Sequence, residues 1–208
     1  MKLSERYLKQ NIFKDLNDFV TNLEFLIPQN FNFGYDVVDE YARLEPEKTA
    51  LVWTNDKGEH RDFSFADIKG YSDCTASYFK SLGIGRGDKV MLILKRHYQF
   101  WYAALALHKI GAIALPATNQ LTKKDIVYRV NTAGIKGVIC TCDGDVANQV
   151  DAAQSECDIL TLKLSVKGKR EGWLDFDEDI QNFGDSFERP AGDEATQNND
   201  VMLMYFTS

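Results

Sequence analysis

The feature that most constrains this chain is a series of short, continuously apolar runs separated by single helical patterns. The runs are Val90-Met91-Leu92-Ile93-Leu94, Ala112-Ile113-Ala114-Leu115, Gly137-Val138-Ile139-Cys140 and Ile159-Leu160-Thr161-Leu162. Between them lie helical patterns at about 97–110, 122–133 and 145–155. Unbroken apolar strands are how a sheet covered on both faces reads, whereas a sheet with one wet face alternates. Strands joined by single helices must be parallel, because a parallel pair needs a long crossover. The expected fold class is therefore α/β, a mostly parallel sheet with flanking helices.

Before this alternation come three simpler elements. Leu8, Ile12, Leu16, Phe19, Val20 and Leu23 recur at helical spacing, with Pro28 ending the pattern. Residues 1–30 are read as an amphipathic helical extension lying against the body of its own protein. A membrane surface suits it less, since its polar face is not enriched in lysine or arginine. A second helix is predicted from Tyr35 to Leu44. A hairpin follows, with Ala50–Trp53 and Arg61–Phe65 flanking the turn Asn55-Asp56-Lys57-Gly58. Near Ser64 a long helix starts, running to Leu82 with Gly83 as its stop. Segment 167–199 is polar and reads as a surface excursion with one short helix near Phe176–Ile180. A last apolar strand, Val201 to Phe206, ends in Thr207-Ser208, the usual entry to a phosphate-binding turn. On that reading the chain is incomplete at its end.

Composition narrows the function classes. With 24 basic and 31 acidic residues the net charge is 24 − 31 = −7, which argues against nucleic acid or an anionic membrane as the main partner. Cys74, Cys140, Cys142 and Cys157 form no C-x-x-C pair, and the three histidines are scattered, so no zinc-ligand spacing exists. The first six residues carry no apolar signal stretch, and no run approaches a membrane span. These signs together point to a disulfide-free cytoplasmic protein.

Several motifs have a plain structural reading. Gly83-Ile84-Gly85-Arg86-Gly87-Asp88 closes a helix and precedes a strand, the reverse of a dinucleotide loop, and reads as a cap and turn. Lys95-Arg96-His97 sits at a carboxyl strand end but reads as a solvated loop, with no visible partner for His97. Asp175-Phe176-Asp177-Glu178-Asp179 lacks the glycine and terminal glutamate of a calcium loop and reads as a solvated acidic turn. Pro116-Ala117-Thr118-Asn119-Gln120 also follows a strand at the edge where ligands gather. Gln120 there could contact a polar part of a cofactor or simply precede a helix cap.

Taken in order, several stretches resemble the adenylate-forming superfamily of acyl-CoA synthetases, luciferases and peptide-synthetase adenylation domains. They are Ser64-Phe65-Ala66-Asp67-Ile68, the Gly83–Val90 corner, Lys109-Ile110-Gly111-Ala112-Ile113-Ala114-Leu115-Pro116 and Tyr205-Phe206-Thr207-Ser208. The last is similar to the start of that family's phosphate loop. Phe31–Asp39, Thr118-Asn119-Gln120 with Asp125–Arg129, and Gly172–Phe176 resemble the medium-chain acyl-CoA synthetases most. The resemblance implies the N-terminal portion of the large AMP-binding domain, with the small C-terminal domain absent. It also implies an ATP-dependent ligase that makes acyl-adenylate from a carboxylic acid and passes the acyl group to coenzyme A, with Mg2+ on the nucleotide. By the same resemblance Thr207 and Ser208 contact ATP phosphate and Gln120 contacts coenzyme A. No catalytic residue or metal ligand falls within these residues, and the segment alone is expected to be inactive. Two other readings are adenylation with transfer to a carrier protein or amine, and a non-catalytic α/β binding module.

Overall fold

The computed structural model describes residues 3–207; Ser208 lies outside them, as do Met1 and Lys2. A five-stranded, all-parallel sheet forms the centre, in the order β4-β3-β5-β6-β7. Its strands are β3 (Lys89–Ile93), β4 (Ile113–Pro116), β5 (Ile135–Thr141), β6 (Leu162–Val166) and β7 (Leu174–Asp175). The helices α3 (Phe65–Ser81), α4 (Gln99–Lys109), α5 (Lys123–Ala133), α6 (Val146–Ala153) and α7 (Phe176–Asp179) cover it.

The continuous apolar runs resolve into strict alternation once placed on the sheet. Val90, Leu92, Ala114, Ile139, Leu164 and Val166 face a core shared with α3 and α4. Met91, Ile93, Ile113, Leu115, Val138 and Cys140 face an opposite core shared with α5 and α6. Neighbouring side chains on a strand point to opposite faces, so burial on both sides requires apolar residues at every position. Side chains such as Val90, Ile93, Ile139 and Leu164 are fully buried. At about 25 cal/mol per Å² of apolar surface, such side chains each contribute roughly 1.5–3 kcal/mol.

Local chemistry sets the helix ends. Ser64 caps α3 through a reciprocal capping box with Asp67, and Thr122 caps α5 in the same way with Asp125. Gly134 ends α5 in a left-handed conformation, φ 70°. The antiparallel hairpin β1 (Thr49–Thr54) and β2 (His60–Ser64) packs on a separate small core of Phe63, Val38 and Ile68. A π-helical stretch, Gly34–Asp39, runs into α2 (Glu40–Leu44) as the predicted second helix.

A buried ionic cluster locks this second helix to the body. The Lys109 ammonium, fully buried, donates to Asp73 at 2.6 Å and to Asp39 at 2.8 Å. Lys69 donates to the other oxygen of Asp73 at 2.5 Å. Burial holds the Asp39 carboxyl above its usual range in spite of the Lys109 charge. Nearby, the neutral His108 ring accepts the Phe33 N–H at 3.0 Å, and burial holds its pKa down at about 4.

The structure corrects four expectations. The N-terminal apolar stripe does not form one helix on the body. Leu3–Tyr7 is a 3-10 turn, Leu8 bridges Phe25, and α1 spans only Leu16–Asn22 with no buried residue. Asp15 caps that helix by accepting the Asp18 N–H, which starts it eight residues later than the stripe suggests. The fourth strand lies at Leu162–Val166 rather than 159–162, because Leu164 and Val166 reach the core while Ile159 stays exposed. The polar excursion after it contributes β7 and drives Phe176 into the core against Phe79 and Tyr102. Finally, Val201–Phe206 makes one parallel bridge, Leu203 with Ala114, on the open side of β4. Val201, Met202, Leu203 and Tyr205 remain exposed, since no layer covers that edge.

Candidate functional site

The carboxyl ends of the parallel strands all open on one edge of the sheet. There the chain turns in opposite directions. After β3 it passes into α4, which packs on the first core, whereas after β4 and β5 it passes into α5 and α6 on the second. Loops that part in this way leave a crevice beyond the strand ends, the position at which open α/β sheets bind ligands. A cleft of about 920 Å³ lies there. Lys95, Arg96 and His97 border it after β3, Thr118 and Asn119 after β4, Asp143 after β5 and Lys167 after β6. The β1–β2 turn, from Trp53 to Glu59, forms its outer wall.

His97 spans the crevice. Its Nε2 lies 2.8 Å from Thr141 Oγ1 and 3.3 Å from Asp143 Oδ2, and Thr141 also accepts the Asp143 N–H at 3.0 Å. Burial pushes the imidazole below its usual range, with Lys167 and Lys95 adding to the effect and Asp143 opposing it. The sequence had shown His97 without a partner; the fold supplies Thr141 and Asp143 from a neighbouring strand. Lys95 and Lys167 are the two non-glycine residues with positive φ among those described, at 49° and 63°. Such conformations cost energy for a lysine and concentrate where the surrounding structure fixes a functional edge.

The residues singled out for cofactors are less tightly grouped. Gln120 is exposed, one residue beyond the cleft-lining Asn119, and its N–H meets Thr118 Oγ1 at 3.3 Å. Thr207 is exposed at the far end of the single-bridged segment, while Ser208 lies outside the described residues. Phe206 packs edge-on against Tyr128 of α5, and Arg129 lies over its ring. The acidic turn is not simply solvated. Asp175 caps α7, Asp177 accepts from Gln99 and from the Lys167 N–H, and Asp179 accepts the Tyr78 hydroxyl. Among the described residues no group of three or more His, Cys, Asp or Glu side chains could hold a metal ion. All four cysteines are free.

Residues 38–208 match the family model of the AMP-binding enzymes. The chain belongs to that family. As an AMP-binding enzyme it is 35% identical over 202 residues to rat mitochondrial acyl-coenzyme A synthetase ACSM4, covering 93% of this chain and 34% of the relative. It is 35% identical over 190 residues to human mitochondrial acyl-coenzyme A synthetase ACSM3, covering 88% and 31%. The chain thus spans about a third of the length of the curated relatives it matches. An anthranilate CoA ligase, AuaEII, solved with anthranoyl-AMP, superposes with a TM-score of 0.77 at 19% identity, over 88% of this chain and 33% of that one. A Brucella canis acyl-CoA synthetase gives 0.73 at 22%, over 86% and 31%. These structures establish the shared fold. The names of the curated relatives also overturn the cytoplasmic expectation, since they are mitochondrial proteins. That expectation rested on a missing secretory stretch, which says nothing about mitochondrial import.

Proposed function

We propose that this chain is the N-terminal part of the large domain of a medium-chain-type acyl-CoA synthetase that works in the mitochondrion. The observation that carries this reading is the family match over residues 38–208, together with 35% identity to the acyl-coenzyme A synthetases. The reaction joins a carboxylate to the α-phosphate of ATP, releases pyrophosphate, and then transfers the acyl group from AMP to the thiol of coenzyme A. The first step builds charge on phosphorus and on departing pyrophosphate, which pre-placed N–H groups, hydroxyls and cations stabilise without reorganising. Thr207 and Ser208 open the phosphate loop in this reading, and Gln120 contacts coenzyme A. Mg2+ would accompany ATP, and no ligand for it is assigned among the described residues.

An assay of a protein carrying this chain at the length of its relatives tests the reading. AMP should accumulate only with both a carboxylic acid and coenzyme A present. Gln120→Ala should weaken use of coenzyme A by about tenfold, the loss of one good polar contact, and leave adenylate formation near normal. Equal loss in both half-reactions, or no thioester across a broad acid panel, overturns it.

A further inference from the structure

The cleft at the switch point has a composition that the ligase reading leaves unused. Lys95, Arg96 and Lys167 converge on it from the ends of β3 and β6. The chain as a whole carries a net charge of −7, yet none of these three cations is in an ion pair among the described residues. Arg96 offers only its carbonyl, to Trp53 Nε1 at 2.6 Å. The Lys167 ammonium rests over the Tyr98 ring at 5.2 Å. The Lys95 ammonium hangs over the Gly144 turn, 4.0 Å from where a Cβ would stand there. Two further observations argue against an ordinary solvated basic surface. Both lysines sit in a left-handed backbone conformation that fixes their direction. Trp53, half-buried and locked by its hydrogen bond to Arg96, gives the cleft an aromatic wall. Unpaired cations beside an aromatic face match a phosphorylated nucleoside, with phosphates on the cations and the base against the ring. The carboxylates Asp56 and Glu59 line the turn wall, and Glu59 is engaged by Asn55 at 2.7 Å.

We propose that Lys95, Arg96 and Lys167 form a phosphate-binding site for a phosphorylated nucleoside, separate from the phosphate loop at Thr207. His97, held between Thr141 and Asp143, is a positioning residue that keeps the β3 and β5 loops apart and the cleft open.

The test uses this 208-residue chain. Inorganic pyrophosphate, ATP and adenosine 3′,5′-bisphosphate are titrated by calorimetry and by tryptophan fluorescence. The expected result is saturable binding of at least one probe, weakened on the order of fivefold by each of Lys95→Asn, Lys167→Asn and Arg96→Gln, and falling with added salt. Asparagine tolerates the left-handed backbone, so these variants keep the fold, which far-UV circular dichroism checks. Lys14→Gln, outside the cleft, leaves binding unchanged. Nucleotide quenching should disappear in Trp53→Phe. Tighter binding of ATP identifies a 5′-polyphosphate as the source, and tighter binding of the 3′,5′-bisphosphate identifies the nucleotide end of coenzyme A. Absence of saturable binding by all three probes, or affinity untouched by the three substitutions, overturns the proposal. Neither result bears on thioester formation, so the ligase reading stands or falls separately.

Discussion

Replacing His108 by glutamine should flatten the acid sensitivity of the fold. The Nε2 of His108 accepts the Phe33 N–H at 3.0 Å, and burial holds its pKa down at about 4. A free histidine titrates near 6.5. The unfolded chain therefore binds a proton between those values that the folded chain refuses, and stability falls as pH falls through this window. Above pH 6.5 the full contribution is present. By pH 5 about 2 kcal/mol is lost, and by pH 4 the loss approaches ~3 kcal/mol. Glutamine can still accept the Phe33 N–H through its carbonyl but does not titrate. Urea denaturation at pH 7.5 and pH 5 measures the effect, read as the difference between wild type and His108→Gln. His97, depressed in the same direction, is common to both proteins and cancels. The drop between the two pH values should be smaller by about 2 kcal/mol in the variant. An identical drop in both proteins would refute the assignment of a buried, neutral, hydrogen-bonded ring.

Two other perturbations probe the joints between elements. Lys109→Met removes the ammonium that neutralises Asp73 and Asp39 in the interior, and should cost 3–5 kcal/mol by thermal or urea unfolding, an order-of-magnitude value for breaking a buried pair. Adding Asp73→Asn to it should restore part of that loss, and a double variant no more stable than the single would contradict the pairing. Arg86 grips both carboxylate oxygens of Asp200, at 2.8 and 3.0 Å, and the Asp193 carbonyl at 2.8 Å. Arg86→Gln should speed hydrogen exchange several-fold at the Met204 N–H, which bonds to the Ala114 carbonyl on the open sheet edge, while leaving β5 amides protected.

How much of this was legible depends on where the information sits. β3, β4 and β5 could be read because burial on both faces forces apolar residues at every position, a signal carried within five residues. β6 was misplaced because Lys163 interrupts its pattern, its ammonium turned outward to Asp151 at 2.7 Å. β7 is two residues long and has no period to detect. The N-terminal stripe and Val201–Phe206 failed for the opposite reason. Both are apolar enough for a core, but periodicity reports amphipathicity and not whether anything covers the apolar face. Pairings of distant residues, such as His97 with Thr141 and Lys109 with Asp39, leave no local trace.

The cleft shows why a site can be harder to read than the fold that builds it. Each lining residue looks ordinary alone: a basic loop, a polar turn after a strand, a hairpin tip. They meet because the chain places β4 and β5 on opposite sides of β3 and sends the helices after them to the face opposite α4. That divergence opens the space, and the parallel direction of every strand puts all the loops on one edge of it. A basic loop after β3 in an antiparallel sheet would face no such neighbours and would be the solvated turn its sequence suggests. The left-handed lysines follow from the same geometry, since Lys95 and Lys167 are the residues at which the chain must leave the sheet plane within one or two positions of a strand end. Strand order, more than any motif in the loops, therefore decides whether Lys95-Arg96-His97 is surface or site.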